Sequence, residues 1–281
     1  MNDALSIQQA SEVCGVNPVT LRAWERRYGL LQPERTPKGH RRYRPSEVER
    51  IRRIVHWLEK GVPISQVAPL LSGAPEPAPG SDTGVPWRQA REAVLQALEL
   101  ANVRRLEQLL NRLLADYSHA QVIRELTDPL RDQLAGSVSL SGHLALLEAV
   151  LIQKWSARAL SLAPRRRDFG WLLVPVGEPL AALELAMVLQ RPLWCLHRDV
   201  DNDALGTLLA DRQPCGVLWV IDRWPTATQR QRLWPGQTMP WPTACWGQRL
   251  DPLPKGVTLL TGGRQAVSEQ LQALEKQGAE V

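Results

Sequence analysis

Between Ser6 and Tyr43 the chain sets two short helix signals back to back and follows them with a turn-rich basic segment, an order that few folds accommodate. Ser6 with Gln9 reads as a capping box opening a first helix, SIQQASEVC, which Gly15 ends. Asn17 then caps a second helix with Pro18 in its first position. On that helix Leu21, Trp24 and Tyr28 recur at the spacing of one face and predict a buried stripe. The outer face carries Val19, Arg22, Ala23 and Arg26 and can enter a major groove, where an arginine fork bonds a guanine edge or clamps a phosphate. Gly29 stops the helix, and LLQPERTPKGHRRYRP follows with turn residues Pro33, Pro37 and Gly39. Its tip, with Lys38, His40, Arg41 and Arg42, predicts a β-wing lying along the backbone or minor groove. Ser46 is expected to cap a third helix through Glu59, ended by Gly61, with a short fourth helix closing near Ser72.

Charge supports that reading. The whole chain carries a net +5, and all of the surplus lies in residues 1–73, which hold 12 Lys and Arg against 7 Asp and Glu; the remaining residues hold 22 of each. Between Arg22 and Arg53 eleven basic residues face four acids, Glu25, Glu34, Glu47 and Glu49, the footprint of a surface that meets phosphates.

Residues 74–86, APEPAPGSDTGVP, read as a linker. From 87 to 164 apolar residues recur at three- and four-residue spacing, as in Val94, Leu95 and Leu98, or Leu106, Leu109, Leu110 and Leu113, and predict a bundle of about four helices. After Arg165-Arg166-Arg167 the rhythm turns to short apolar runs alternating with amphipathic stretches, the pattern of βαβ units. The expected strands are 171–176, 193–197, 216–221, 243–246 and 257–261, with helices at 178–190, 200–211, 226–233 and 264–277. The fold class expected is therefore multidomain α and α/β. A winged helix-turn-helix (1–73) precedes the bundle (87–164), and a five-stranded, doubly wound parallel sheet of the Rossmann or flavodoxin type follows (165–281).

Neither a disulfide framework nor a metal site is indicated, since Cys14, Cys195, Cys215 and Cys245 are scattered and the histidines lie far apart. No nucleophile-elbow, Walker or dinucleotide fingerprint occurs, so no catalysis is expected. The start lacks a leader pattern and the longest apolar runs are too short for a bilayer, which predicts a cytoplasmic protein without a membrane partner. Eleven tryptophans stand against one phenylalanine, with Trp219, Trp224, Trp234, Trp241 and Trp246 late in the chain; they fill a core or form a partner surface.

Several motifs agree at fixed spacing. Leu5-Ser-Ile, the run from Asn17 to Leu31, Arg35-Thr-x-x-Gly-His-Arg-Arg-Tyr43 and the helix to Gly61 resemble the MerR-family DNA-binding domain. The form Leu21-Arg-x-Trp-Glu-x-Arg-Tyr-Gly29 is similar to the CarA/CarH and MlrA-like subgroup. The resemblance implies base and phosphate contacts from Thr20, Arg22 and Arg26 in the helix and from Lys38, His40, Arg41, Arg42 and Tyr43 in the wing, although Tyr43 could equally be wing core. It implies double-stranded promoter DNA as partner, a homodimer or higher homo-oligomer on a near-palindrome, and in activators a DNA distortion that serves RNA polymerase. Typical members dimerise through a long helix after the fourth. A Pro-rich linker stands there in this chain, which moves the expected dimer contacts to the C-terminal region. The MlrA-like branch implies control of biofilm matrix genes with ties to cyclic-di-GMP signalling, in a bacterial cytoplasm at the nucleoid.

The bundle and α/β region resemble the cobalamin-binding region of the CarA/CarH regulators, whose pattern needs a histidine two residues after an acid beyond the first strand. Gly177-Glu178-Pro179-Leu180 keeps the acid and replaces the histidine with leucine, which cannot ligate a metal. No Glu-His pair occurs in the chain either, while Gly262-Gly263 survives where the family admits a nucleotide tail. No cofactor is expected. Glu178, His197, Asp222 beside Arg223, Gly262 and Gly263 remain candidates for a different ligand at the carboxyl edge of the sheet. The leading expectation is an MlrA-like activator whose C-terminal region serves oligomerisation and signal input, from a signalling-protein partner or another small ligand. The rivals are a light-responsive, cobalamin-dependent repressor of the CarH kind and an α/β ligand-binding or enzymatic domain with accessory DNA binding.

Overall fold

The computed structural model describes residues 4–14, 16, 18–60, 62–73, 87–163, 168–189, 193–211, 213–234, 241–247 and 256–278. The expected stops at Gly15 and Gly61, the Asn17 cap, the linker 74–86 and the arginine cluster 165–167 lie outside the described residues. The chain forms two compact units, Met1–Val150 and Leu151–Val281, and each is taken in turn.

The first unit begins with β1 (Leu5–Ser6), α1 (Ile7–Cys14) and α2 (Pro18–Arg26). The capping box forms: the Gln9 amide donates to Ser6 Oγ at 3.3 Å and the Ser6 amide to Gln9 Oε1 at 2.9 Å. After α2, Gly29 adopts a left-handed φ of 62° that lets the Leu30 amide turn back to the carbonyl of Trp24. The wing is β2 (Glu34–Arg35) and β3 (Arg41–Tyr43), and β1 completes an antiparallel sheet of order β1-β3-β2. Helix α3 (Pro45–Glu59) starts one residue before the expected Ser46 cap. Proline at its first position already holds the helical φ and has no amide to satisfy, so Arg44 closes the end without a side-chain cap. Helix α4 (Ile64–Leu71) follows. Leu21, Trp24, Leu30, Leu31, Tyr43, Ile51, Ile54 and Val67 make one core beneath these elements.

The bundle comprises α5 (Trp87–Glu99), α6 (Val103–Asp116), α7 (His119–Val122), a π-helical turn at Ile123–Thr127, α8 (Asp128–Ala135) and α9 (Ser141–Leu162), within which the two units divide. Helix α7, the π turn and α8 run on as one irregular rod.

The second unit carries β4 (Asp168–Val176), α10 (Leu180–Leu189), β5 (Trp194–Cys195), α11 (Asn202–Leu209), β6 (Gln213–Ile221), α12 (Ala227–Leu233), β7 (Thr243–Gly247), β8 (Thr258–Leu260) and α13 (Arg264–Gly278). All pairings are parallel and the order is β5-β4-β6-β7-β8, the flavodoxin-like winding. Strand β5 is shorter than the expected 193–197 and lies at an edge, where one ladder is all that holds it. Trp219, Trp234, Leu172, Val174 and Leu205 fill one face of the sheet. Trp219 meets Trp234 edge-on at 5.6 Å and Trp224 stacks on Trp234, so these late tryptophans belong to the core. Glu184 on α10 is wholly buried and paired with Arg264 on α13, an ion pair that the apolar run of α10 conceals.

Candidate DNA-reading surface

Burial sorts the faces of α2. Leu21 and Trp24 are buried, while Val19, Arg22, Arg26 and Arg27 are exposed and Thr20 and Ala23 are half-buried. Of the outer face inferred from spacing, Val19, Arg22 and Arg26 are accessible and Ala23 is partly covered.

The wing turns tightly at its tip. The Gly39 amide donates to the Thr36 carbonyl at 2.7 Å, the Thr36 amide to the His40 carbonyl at 2.9 Å, and the His40 amide to Thr36 Oγ1 at 3.1 Å. Gly39 has φ 80°, a conformation that a side chain would strain. Lys38 and His40 are exposed at this tip. Along β3 the side chains alternate, so Arg42 points outward while Arg41 and Tyr43 share the inner face. Arg42 also reaches the Ala4 carbonyl at 3.4 Å.

Two expected contact residues need correction or refinement. Tyr43 is completely buried in the core of the module, and its side chain has no route to DNA. Arg41 Nε is bound by Glu25 Oε2, and Arg35 Nη2 holds the other oxygen at 2.9 Å. Glu25 therefore ties α2 to both strands of the wing. Burial pushes its carboxyl upward, but the hydrogen bonds and charges of Arg41 and Arg35 outweigh that and hold it below its ordinary value. Arg41 anchors the wing as well as edging the surface. The sequence offers one signal for this, an acid one residue after Trp24 of the buried stripe and next to the basic pair Arg26 and Arg27.

Ser6, Ile7, Arg22, Thr36, Gly39, His40, Arg41 and Arg42 line an open cleft of about 300 Å³ between α2 and the wing. Tyr28, assigned to the buried stripe, is half-buried. Its hydroxyl donates to the Ala115 carbonyl at 2.8 Å and lies 3.4 Å from Asp116 Oδ1, tying the turn after α2 to the end of α6.

At the carboxyl edge of the parallel sheet, Glu178, His197, Asp222, Gly262 and Gly263 are all exposed. Asp222 sits beside Gly177, where the winding reverses between β4 and β6, and its amide donates to the Val176 carbonyl at 3.1 Å. Gly177 has φ 103°, and a Cβ there would stand 3.3 Å from that of Asp222. His197 lies beyond β5 and the glycine pair beyond β8, on opposite sides of that point. The Gly262 carbonyl accepts from Trp246 Nε1 at 3.0 Å. Leu180, in place of the metal-ligating histidine, is buried at the start of α10, and no cluster of three or more His, Cys, Asp or Glu suited to a metal occurs among the described residues. These residues do not fit cobalamin ligated from below. No helix among the described residues is long and apolar enough to cross a membrane.

Comparison with known proteins places these features. Residues 5–74 match the family described as MerR HTH family regulatory protein, and residues 87–160 match that described as transcriptional regulator MlrA, helical domain. The HTH-type transcriptional regulators MlrA of Salmonella typhimurium and Escherichia coli are each 36% identical over 173 residues, covering 61% of this chain and 68% of theirs. The HTH-type transcriptional repressor CarH of Myxococcus xanthus is 33% identical over 168 residues, 56% of this chain and 55% of its own.

Proposed function

The chain belongs to the MerR family and is a DNA-binding transcriptional regulator, and from that premise we propose how it reads its promoter. Arg22 and Arg26 enter the major groove with Thr20 at their flank, and Lys38, His40 and Arg42 follow the phosphates beside it. Arg41 holds the wing through Glu25 and lends its remaining N–H groups to the same surface. The observation that carries this reading is the basic cleft in which Arg22 of the helix and His40, Arg41 and Arg42 of the wing meet. A homodimer would set two such surfaces on a near-palindromic site, with activation through RNA polymerase. The C-terminal unit would supply oligomerisation and signal input without cobalamin, since Leu180 supplies no ligand.

The test starts from duplexes selected out of a randomised pool by the full-length protein. Arg22→Ala and Arg26→Ala should each weaken binding to the selected duplex about ten- to a hundredfold. Lys38→Ala should lower the salt dependence by about one counterion. Unchanged affinities would overturn the assignment. Mixing with adenosylcobalamin in the dark and desalting should leave a colourless protein; a retained, light-sensitive spectrum would establish the CarH-like alternative instead.

A further inference from the structure

Val19 lies in the first turn of α2, 63% exposed as a residue, on the same outer face as Arg22 and Arg26. A single exposed apolar residue is ordinary on a protein surface, but this one stands in the first turn of a recognition helix, the part that meets base edges. The major groove offers one apolar group, the 5-methyl of thymine. We propose that Val19 reads a thymine methyl and so fixes part of the operator sequence, an inference that rests on α2 being the recognition helix. Arg22 follows one turn later, a rise of about 4.5 Å, against about 3.4 Å per base step. The thymine should therefore lie one or two base pairs from the base or phosphate that Arg22 engages. Val19 would confer specificity where the arginines confer affinity, because a methyl contact distinguishes thymine from cytosine and from uracil without any charge.

Uracil provides the probe, since it removes that methyl and keeps every pairing group. Binding by fluorescence anisotropy is measured on the selected duplex and on versions in which each half-site thymine is replaced in turn by uracil, with wild type and Val19→Ala. For the wild type, one thymine-to-uracil change per half-site should weaken binding about fourfold, the worth of one buried methyl group. Val19→Ala should bind the thymine and uracil versions of that position alike while still responding to changes at the Arg22 position. An enriched sequence at which no uracil replacement separates wild type from Val19→Ala would overturn the Val19 assignment and leave the recognition helix standing. A pool that yields no enriched sequence would overturn both.

Discussion

Arg91 on α5 donates from Nη1 to the main-chain carbonyl of Glu125 at 2.8 Å. The α-helical donor for that carbonyl would be residue 129, which is proline and has no N–H. The π-helical turn at Ile123–Thr127 lies just ahead of it, and a side chain from another helix serves the carbonyl that the proline cannot. Arg91→Ala should destabilise the unit by about 1–2 kcal/mol in urea unfolding. In a Pro129→Ala background, where an amide returns, the same change should cost less; equal costs in both backgrounds would refute the substitution of one donor for the other.

Glu25 should govern the wing. Glu25→Gln keeps the shape but removes the charge that Arg41 and Arg35 share, and is expected to lower stability by about 1 kcal/mol and loosen DNA binding. Because the folded carboxyl titrates below its ordinary 4.5, its contribution is complete above that value and is lost as pH falls through the depressed one. Thermal unfolding of wild type and Glu25→Gln should therefore differ at neutral pH and converge below pH 4.5.

Tyr43→Phe tests the reassignment of that residue to the core. Its hydroxyl has no hydrogen-bond partner among the described residues, and burial pushes its pKa up to about 12. Removing the hydroxyl should leave DNA affinity unchanged and stability equal or slightly higher. With the folded pKa raised by burial, the unfolded phenol ionises first, so stability is unaffected below the ordinary 10 and falls as pH climbs from 10 toward 12. The wild type should therefore lose more stability than Tyr43→Phe above pH 10. A tenfold loss of affinity in Tyr43→Phe would return the residue to the DNA contacts.

The cysteines should separate by environment. Burial raises Cys14 and pushes Cys195 and Cys245 up to about 12, whereas Cys215 is exposed. A chromogenic disulfide reagent at pH 8 should label one thiol of the folded protein promptly and all four after denaturation. Prompt labelling that survives Cys215→Ser would contradict this.

Much of the architecture was legible because its causes are local. The 3.6-residue rhythm of Leu106, Leu110 and Leu113, the capping box at Ser6 and Gln9, and the apolar runs of β4 and β6 each act over a few residues. The outer face of α2 was legible for the same reason: once Leu21 and Trp24 turn inward, Val19, Arg22 and Arg26 must turn out. Pairing across long separations was not. Glu184 reads as one acid in an apolar helix, and nothing within its own turn reveals that Arg264, eighty residues later, is its partner.

The amino-acid order by itself thus determined most of the elements, the winged module and the family, because periodicity, caps and motif spacing are written along the chain. Tertiary structure decided which polar groups serve the fold and which remain for a ligand. Arg41 and Arg42 are neighbours of identical chemistry, and strand pleating turned one toward Glu25 and the other toward solvent. Tyr43 was open to either role until a closed core left its ring no path outward. A side chain's task depends on what lies opposite it, and that is set only when distant segments pack.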